Sequence, residues 1–176
     1  VPTLTYPLVN RHSGFLIPTP GYDNRFGLHY QQGYFWAINP SQDLTIAPSY
    51  YNNLGYGSDF TYRYYLNRRS SGQWFASFLQ QTKLPNVSGV DQVNQDERRL
   101  RGMISGQHSQ QVTETLMVRG QASFVSDRQY LQQLSNSGTQ RASPSGESTL
   151  LATQRLPSGS AYFMGQYLQP LNYGGT

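Results

Sequence analysis

The chain has no cysteine, which removes disulfides and thiolate metal sites without fixing a compartment. Charge is scarce: Asp, Glu, Lys and Arg make up 12% of the 176 residues, and hydrophobic residues only 36%. No stretch approaches the roughly 18 consecutive apolar residues of a membrane helix. A starting Met, a basic n-region and an apolar h-region are also missing. No signal peptide is therefore expected, and the chain reads as a mature or excised piece. Histidine is limited to His12, His29 and His108, with no metal-ligand spacing between any two, where a zinc site wants about three or four ligands. No Gly-x-Ser-x-Gly elbow occurs, and the adjacent His108 and Ser109 would point to opposite faces of a strand. They do not make a catalytic pair. No histidine-based metal site is expected.

The space left by these absences is filled by Gln, Ser, Asn, Thr, Gly and 14 Tyr. An aromatic content of 14% argues against disorder. The net charge of +4 suits an anionic partner only weakly. Arg68-Arg69 and Arg98-Arg99-x-Arg101 are the basic clusters, and they lack the strand-borne aromatics of an RNA-binding sheet. No nucleic acid is expected. Arginines lining a barrel interior or rim could meet phosphates bidentately, or they could simply be solvated. Asp91, Asp96, Glu97, Asp127 and Glu147 fall in or beside long connections and are read as solvated, with a divalent cation site among them as the second reading.

Period-2 alternation runs through the sequence. Leu116, Val118, Ala122 and Phe124 fall on one face of a strand, and Arg119, Gln121 and Ser123 on the other. Phe60, Tyr62, Tyr64 and Leu66 alternate with Asp59, Thr61 and Arg63 in the same way. The pattern predicts about ten strands, at residues 3–8, 13–20, 26–38, 43–52, 56–67, 73–84, 98–108, 113–126, 148–156 and 161–171. Most are roughly 9–12 residues long, the length of a tilted membrane-spanning strand, against about 5–6 in soluble sheets. Connections 39–42, 109–112 and 157–160 are short, whereas 85–97 and 128–147 are long and polar. Outer-membrane barrels alternate short and long connections in this way. Aromatics gather near strand ends, as in Tyr34-Phe35-Trp36 and Trp74-Phe75, where a barrel carries its interfacial girdles. A soluble sandwich with two long loops and sugar-stacking rings stays open on these patterns alone.

The opening segments are more specific. Tyr6-Pro7-Leu8, Arg11-x-Ser13-Gly14-Phe15-Leu16-Ile17-Pro18 and Tyr34-Phe35-Trp36-Ala37-Ile38-Asn39-Pro40 resemble the LptD family of lipopolysaccharide-assembly proteins. The likeness continues, in order, through Asp43-x-Thr45-x-x-Pro48-x-Tyr50, Gly55, Tyr62-Arg63-Tyr64 and Asp127-x-x-Tyr130-Leu131. The resemblance implies an all-β, antiparallel transmembrane β-barrel of about 26 strands, preceded by a periplasmic β-jelly-roll. Residues 1–10 would end the jelly-roll, and residues 11–176 would supply about nine strands of the larger barrel.

The function implied is that of an outer-membrane translocon component, a transporter and not an enzyme, with no cofactor. It would insert lipopolysaccharide into the outer leaflet through the barrel lumen and a lateral gate between the first and last strands. The implied partners are lipopolysaccharide, the LptE lipoprotein plug, the LptA periplasmic bridge and outer-membrane lipid. The implied location is the Gram-negative cell outer membrane, with the N-terminus periplasmic. The first barrel strands would carry the gate through Ser13, Gly14, Phe15 and Pro18, whose missing N–H weakens pairing. A second family proline corresponds to Gly33 here, which loosens a strand yet keeps its N–H. Arg63, Arg101, Arg119 and Gln121 are the residues that would face the lumen and its cargo. Two other readings remain: a small outer-membrane barrel with an adhesin or structural role, and a soluble carbohydrate-binding β-sandwich.

Overall fold

A computed structural model describes residues 11–24, 26–82, 99–127, 130 and 145–170. The 3–8 strand, the 1–10 domain boundary, Asp91, Asp96 and Glu97 lie outside the described residues. So does most of the two long connections. Eleven strands are formed: β1 (Gly14–Phe15), β2 (Thr19–Asp23), β3 (Gly27–Gln31), β4 (Tyr34–Asn39), β5 (Gln42–Tyr51), β6 (Gly55–Asn67), β7 (Ser70–Gln81), β8 (Arg99–Gln111), β9 (Leu116–Val125), β10 (Ser145–Leu156) and β11 (Gly159–Pro170). They make one antiparallel sheet in the order β1-β4-β5-β6-β7-β8-β9-β10-β11, with β2 on β3 and β3 also on β5. The β1 and β11 edges do not pair with each other, so the sheet is open. A sandwich needs two facing sheets, and the described strands form a single one.

Two predicted strands are divided. Residues 13–20 split into β1 and the start of β2, and residues 26–38 into β3 and β4. The cause is a register change. Gly14 pairs with Phe35, and Leu16 N–H bonds the Gly33 carbonyl at 2.8 Å, whereas Thr19 pairs with Gln31. Ile17 and Pro18 thus oppose Gln32 alone, which is the two-against-one geometry of a β-bulge. On its other side the second row keeps one register against β5, from His29–Tyr51 to Tyr34–Ile46, with Gln32 N–H bonding the Pro48 carbonyl at 3.0 Å. Counted as rows, β1/β2 and β3/β4 each make one, and the sheet is nine rows wide.

The chain reverses at two ends of the sheet. Turns 40–41, 68–69, 112–115 and 157–158 share one end, while turn 52–54 and the strand ends that flank both long connections share the other. At the short-turn end Asn39 Oδ1 accepts from Ser41 N–H at 2.9 Å, and Asn67 Oδ1 accepts from Arg69 N–H at 2.8 Å. These Asx turns let two residues reverse the chain. The predicted 109–112 turn is shifted, because β8 continues to Gln111 and pairs as far as Met117. The polar run Ser109-Gln110-Gln111 still alternates between the two faces, and the reversal comes where Thr113 Oγ1 accepts from Leu116 N–H at 2.9 Å. Gly27, at φ 70°, closes the β2–β3 turn in a conformation that favours glycine.

Candidate functional site

Directly paired residues share a face, so the register divides the sheet into two surfaces. On one, Ile46, Phe60, Ala76, Ile104 and Phe124 form an apolar row across five strands. Toward the short turns lies the row Trp36, Leu44, Tyr62, Trp74, and toward the long connections the row Tyr30, Tyr50, Tyr56. Tyr56 and Tyr62 are six residues apart, about 20 Å along a strand. Aromatic rows of this kind flank the apolar band of a membrane barrel. Many of these side chains have no cover: Tyr56 is 61% and Trp36 47% exposed. Glycines on the neighbouring strand give the largest rings room, as a Cβ at Gly106 would collide with Trp74 and one at Gly72 with Tyr64. Tyr64 then stacks on His108 at 5.8 Å and meets its Nδ1 at 2.5 Å. Ser109, the neighbour of His108, lies on the other face opposite Arg119.

That other face is polar. One rung runs Asp43, Arg63, Gln73, Gln107, Gln121, Thr149, Gln166 from β5 to β11. Neighbouring strands lie about 4.8 Å apart, so this is a row of amide and guanidinium groups at regular spacing. Arg63, Arg119 and Gln121 line a groove of about 600 Å³ over it, together with Gln73, Gln107 and Thr149. Such a surface can hydrogen-bond hydroxyls and pair with phosphates or carboxylates.

Asp43 anchors the short-turn end of this face. Its carboxylate is 2% exposed, held by Arg63 Nε at 2.7 Å and by Arg11 Nη1 at 3.0 Å. Arg101 is placed differently from Arg63 and Arg119. It is 6% exposed, and it grips Asp127 through Nε at 3.0 Å and Nη2 at 2.6 Å. Its guanidinium also lies over the Tyr130 ring at 5.8 Å. Asp127 is therefore paired, not solvated as its loop position suggested, because the chain after β9 folds back onto Arg101. Partial burial pushes the Asp127 carboxyl up. The Arg101 and Ser126 hydrogen bonds, the Arg101 charge and the Tyr130 N–H outweigh that and hold it below the ordinary carboxylate range. Burial pushes the Tyr130 phenol up to about 12. Tyr130 donates to Ser77 Oγ at 2.7 Å and completes a small core with Leu54, Leu79, Met103 and Val125 under the loop end.

At the β1 edge Ser13 Oγ accepts from Ala37 N–H at 2.9 Å, and Phe15 meets Tyr34 edge to face at 5.1 Å. Gly33 is buried beneath Leu16, whose Cβ lies 3.2 Å from where a Cβ on Gly33 would stand. Leu16 N–H points to the second row, and Pro18, which has no N–H, lies two residues on at the register change. Asp43 and Asp59, the latter accepting from Gln31 Nε2 at 3.0 Å and from Ser77 Oγ at 2.5 Å, had no place among the sequence-derived sites, although both stand on the polar side of the alternation; nor had Gln32, which donates to the Leu16 and Gly33 carbonyls.

Comparison with known proteins agrees with this fold. A family profile described as "LptD protein" matches residues 1–168. A protein of Azoarcus sp. (strain BH72) named "LPS-assembly protein LptD" is 33% identical over 98% of this chain and 20% of its own length. Its namesake in Aromatoleum aromaticum is 33% identical over 88% of this chain and 18% of its own. The Haemophilus influenzae (strain 86-028NP) protein of that name is 42% identical over a shorter stretch, 36% of this chain. The chain thus spans about a fifth of the length of the first two.

Proposed function

The chain belongs to the LptD family, and on that footing we propose that it builds the first part of an outer-membrane barrel that delivers lipopolysaccharide to the outer leaflet. The observation that carries the reading is the segregation of the two faces. One bears an apolar band between aromatic rows, as a lipid-facing wall requires. The other bears Arg63, Gln73, Gln107, Gln121 and Arg119, as a lumen passing phosphorylated sugars requires.

In this reading the short-turn end faces the periplasm, with residues 1–10 leading in from a jelly-roll domain there. Lipopolysaccharide arrives over an LptA bridge, its sugars cross the lumen beside an LptE plug, and its acyl tails pass into outer-membrane lipid. Binding and release suffice, and no residue takes part in covalent chemistry. Arg63, Arg119 and Gln121 contact the cargo, while Arg101 braces the wall. The lateral gate opens at the first strand, and Ser13, Gly14, Phe15, Pro18 and Gly33 keep that strand loosely held. The bulge at Ile17–Pro18 supports this part.

The test is Pro18→Ala in the full-length protein, scored by lipopolysaccharide reaching the cell surface. The restored N–H is expected to tighten the first two rows and slow delivery. Unchanged surface lipopolysaccharide would sink the gate.

A further inference from the structure

Gln32 is a polar side chain on the aromatic face. Alternation places it in line with Tyr30 and Tyr34, beside the exposed rings and aliphatics of Phe15 and Ile17. An amide in such a position is costly unless every polar atom is engaged. Here it is engaged on all sides. Nε2 donates to the Leu16 carbonyl at 2.8 Å and to the Gly33 carbonyl at 3.1 Å, and Oε1 accepts from Tyr30 Oη at 3.0 Å. Its backbone N–H is fixed to Pro48 on β5.

This amide sits where the ladder fails. Leu16 and Gly33 exchange one main-chain bond, from Leu16 N–H to the Gly33 carbonyl, and the next two residues, Ile17 and Pro18, share the bulge. In a regular antiparallel pair the Leu16 carbonyl would receive the returning main-chain bond. The Gln32 side chain supplies it instead. The half-strand upstream of the bulge is otherwise held by the Gly14 and Phe15 pairings and the Ser13 hydroxyl, with the Arg11–Asp43 ion pair just before it.

We propose that Gln32 is a clamp that seats residues 13–17 on β4, so that this half-strand moves as a unit hinged at Pro18, separately from β2. Tyr30 is the positioning residue that aims the clamp. The inference concerns the motion of the strand and stands apart from what the barrel carries.

The experiment is amide hydrogen exchange on the full-length protein in lipid nanodiscs. Gln32→Met keeps length and packing but removes both donors and the acceptor. It is expected to raise exchange in residues 13–17 about fivefold to tenfold, the loss of one net hydrogen bond or somewhat more. Exchange in β5–β7 should stay unchanged. Tyr30→Phe should give a smaller rise in the same residues. A second variant adds Leu16→Cys and Gly33→Cys to Gln32→Met; the Cβ positions stand 3.2 Å apart, so a disulfide forms after a shift of a few tenths of an ångström. Oxidised, it should return residues 13–17 to slow exchange, and reduced it should not. Unchanged exchange in Gln32→Met, or a rise spread evenly over β5–β7, overturns the clamp.

Discussion

Asp43 offers a prediction in which the sign of a double mutant depends on burial. Its carboxylate is 2% exposed, yet the two arginines that hold it are 39% and 48% exposed. Removing the carboxylate therefore costs less than removing its partners. In Asp43→Asn one guanidinium turns to water, and the amide oxygen still accepts from the other. Charge-assisted bonds are worth about 1.5–3 kcal/mol each, but the exposure of the arginines discounts that, leaving about 1–2 kcal/mol in total. In Arg11→Ala/Arg63→Ala the carboxylate stays buried with no counter-charge, at about 3–5 kcal/mol. Adding Asp43→Asn to that pair removes the stranded charge and should recover about half of the loss. Urea unfolding of the full-length protein in detergent micelles, followed by tryptophan fluorescence, gives the four stabilities needed. A triple variant no more stable than the double arginine variant would refute the argument. So would Asp43→Asn costing as much as the loss of both arginines.

Acid stability should depend on Asp127. Its folded pKa is lowered, so its contribution is complete above the unfolded value of 3.8 and is lost as pH falls through the folded value. Asp127→Asn should flatten that acid limb in a pH series of urea midpoints, and an unchanged limb would count against the Arg101 pairing. Tyr130 acts at the other extreme: with its phenol raised to about 12, stability should fall as pH rises from 10 toward 12. Tyr130→Phe should remove that slope at a cost of about 1 kcal/mol for the Ser77 bond. Gly106→Ala drives a methyl into Trp74, at about 1–3 kcal/mol. In a Trp36→Phe background of this 176-residue segment, Trp74 is the tryptophan left and its emission should shift; an unmoved spectrum would place the ring elsewhere.

The strands and faces were legible because alternation is a local signal. Phe60 and Tyr62 against Asp59 and Arg63 predict which residues share a surface, and the register agrees. The division of the first two rows was not legible. Ser13 to Pro20 reads as one apolar strand, and the bulge exists only because Leu16–Gly33 and Thr19–Gln31 differ by one in register, a relation between segments. Arg101 and Asp127 were hidden for a similar reason. They are 26 residues apart, and Arg101 stands in a basic cluster that sequence alone treats as uniform, although its guanidinium braces Asp127 while Arg119 faces the groove. Gln32 carried no signal at all, since a lone glutamine acquires meaning only from the carbonyls it meets.

The same local differences set a gradient of stability across the sheet. β6 and β7 pair along their whole length, from Gly55–Gln81 to Asn67–Ser70, and β8 continues the ladder on β7. β1 pairs with β4 only through Gly14 and Phe15, and its far edge finds no partner among the described residues. In hydrocarbon no water can replace a broken main-chain bond, so the cost of parting two strands rises with the rungs lost. A barrel wall that must open laterally is therefore best opened where rungs are fewest and where a side chain, which can turn away, holds the place of a backbone bond, which cannot. Among the described residues the rungs are fewest where residues 13–17 meet β4, so the first row is the part of the wall most easily moved if the proposed gate opens beside it. Full pairing through β5 to β8 keeps the rest of the wall from parting with it.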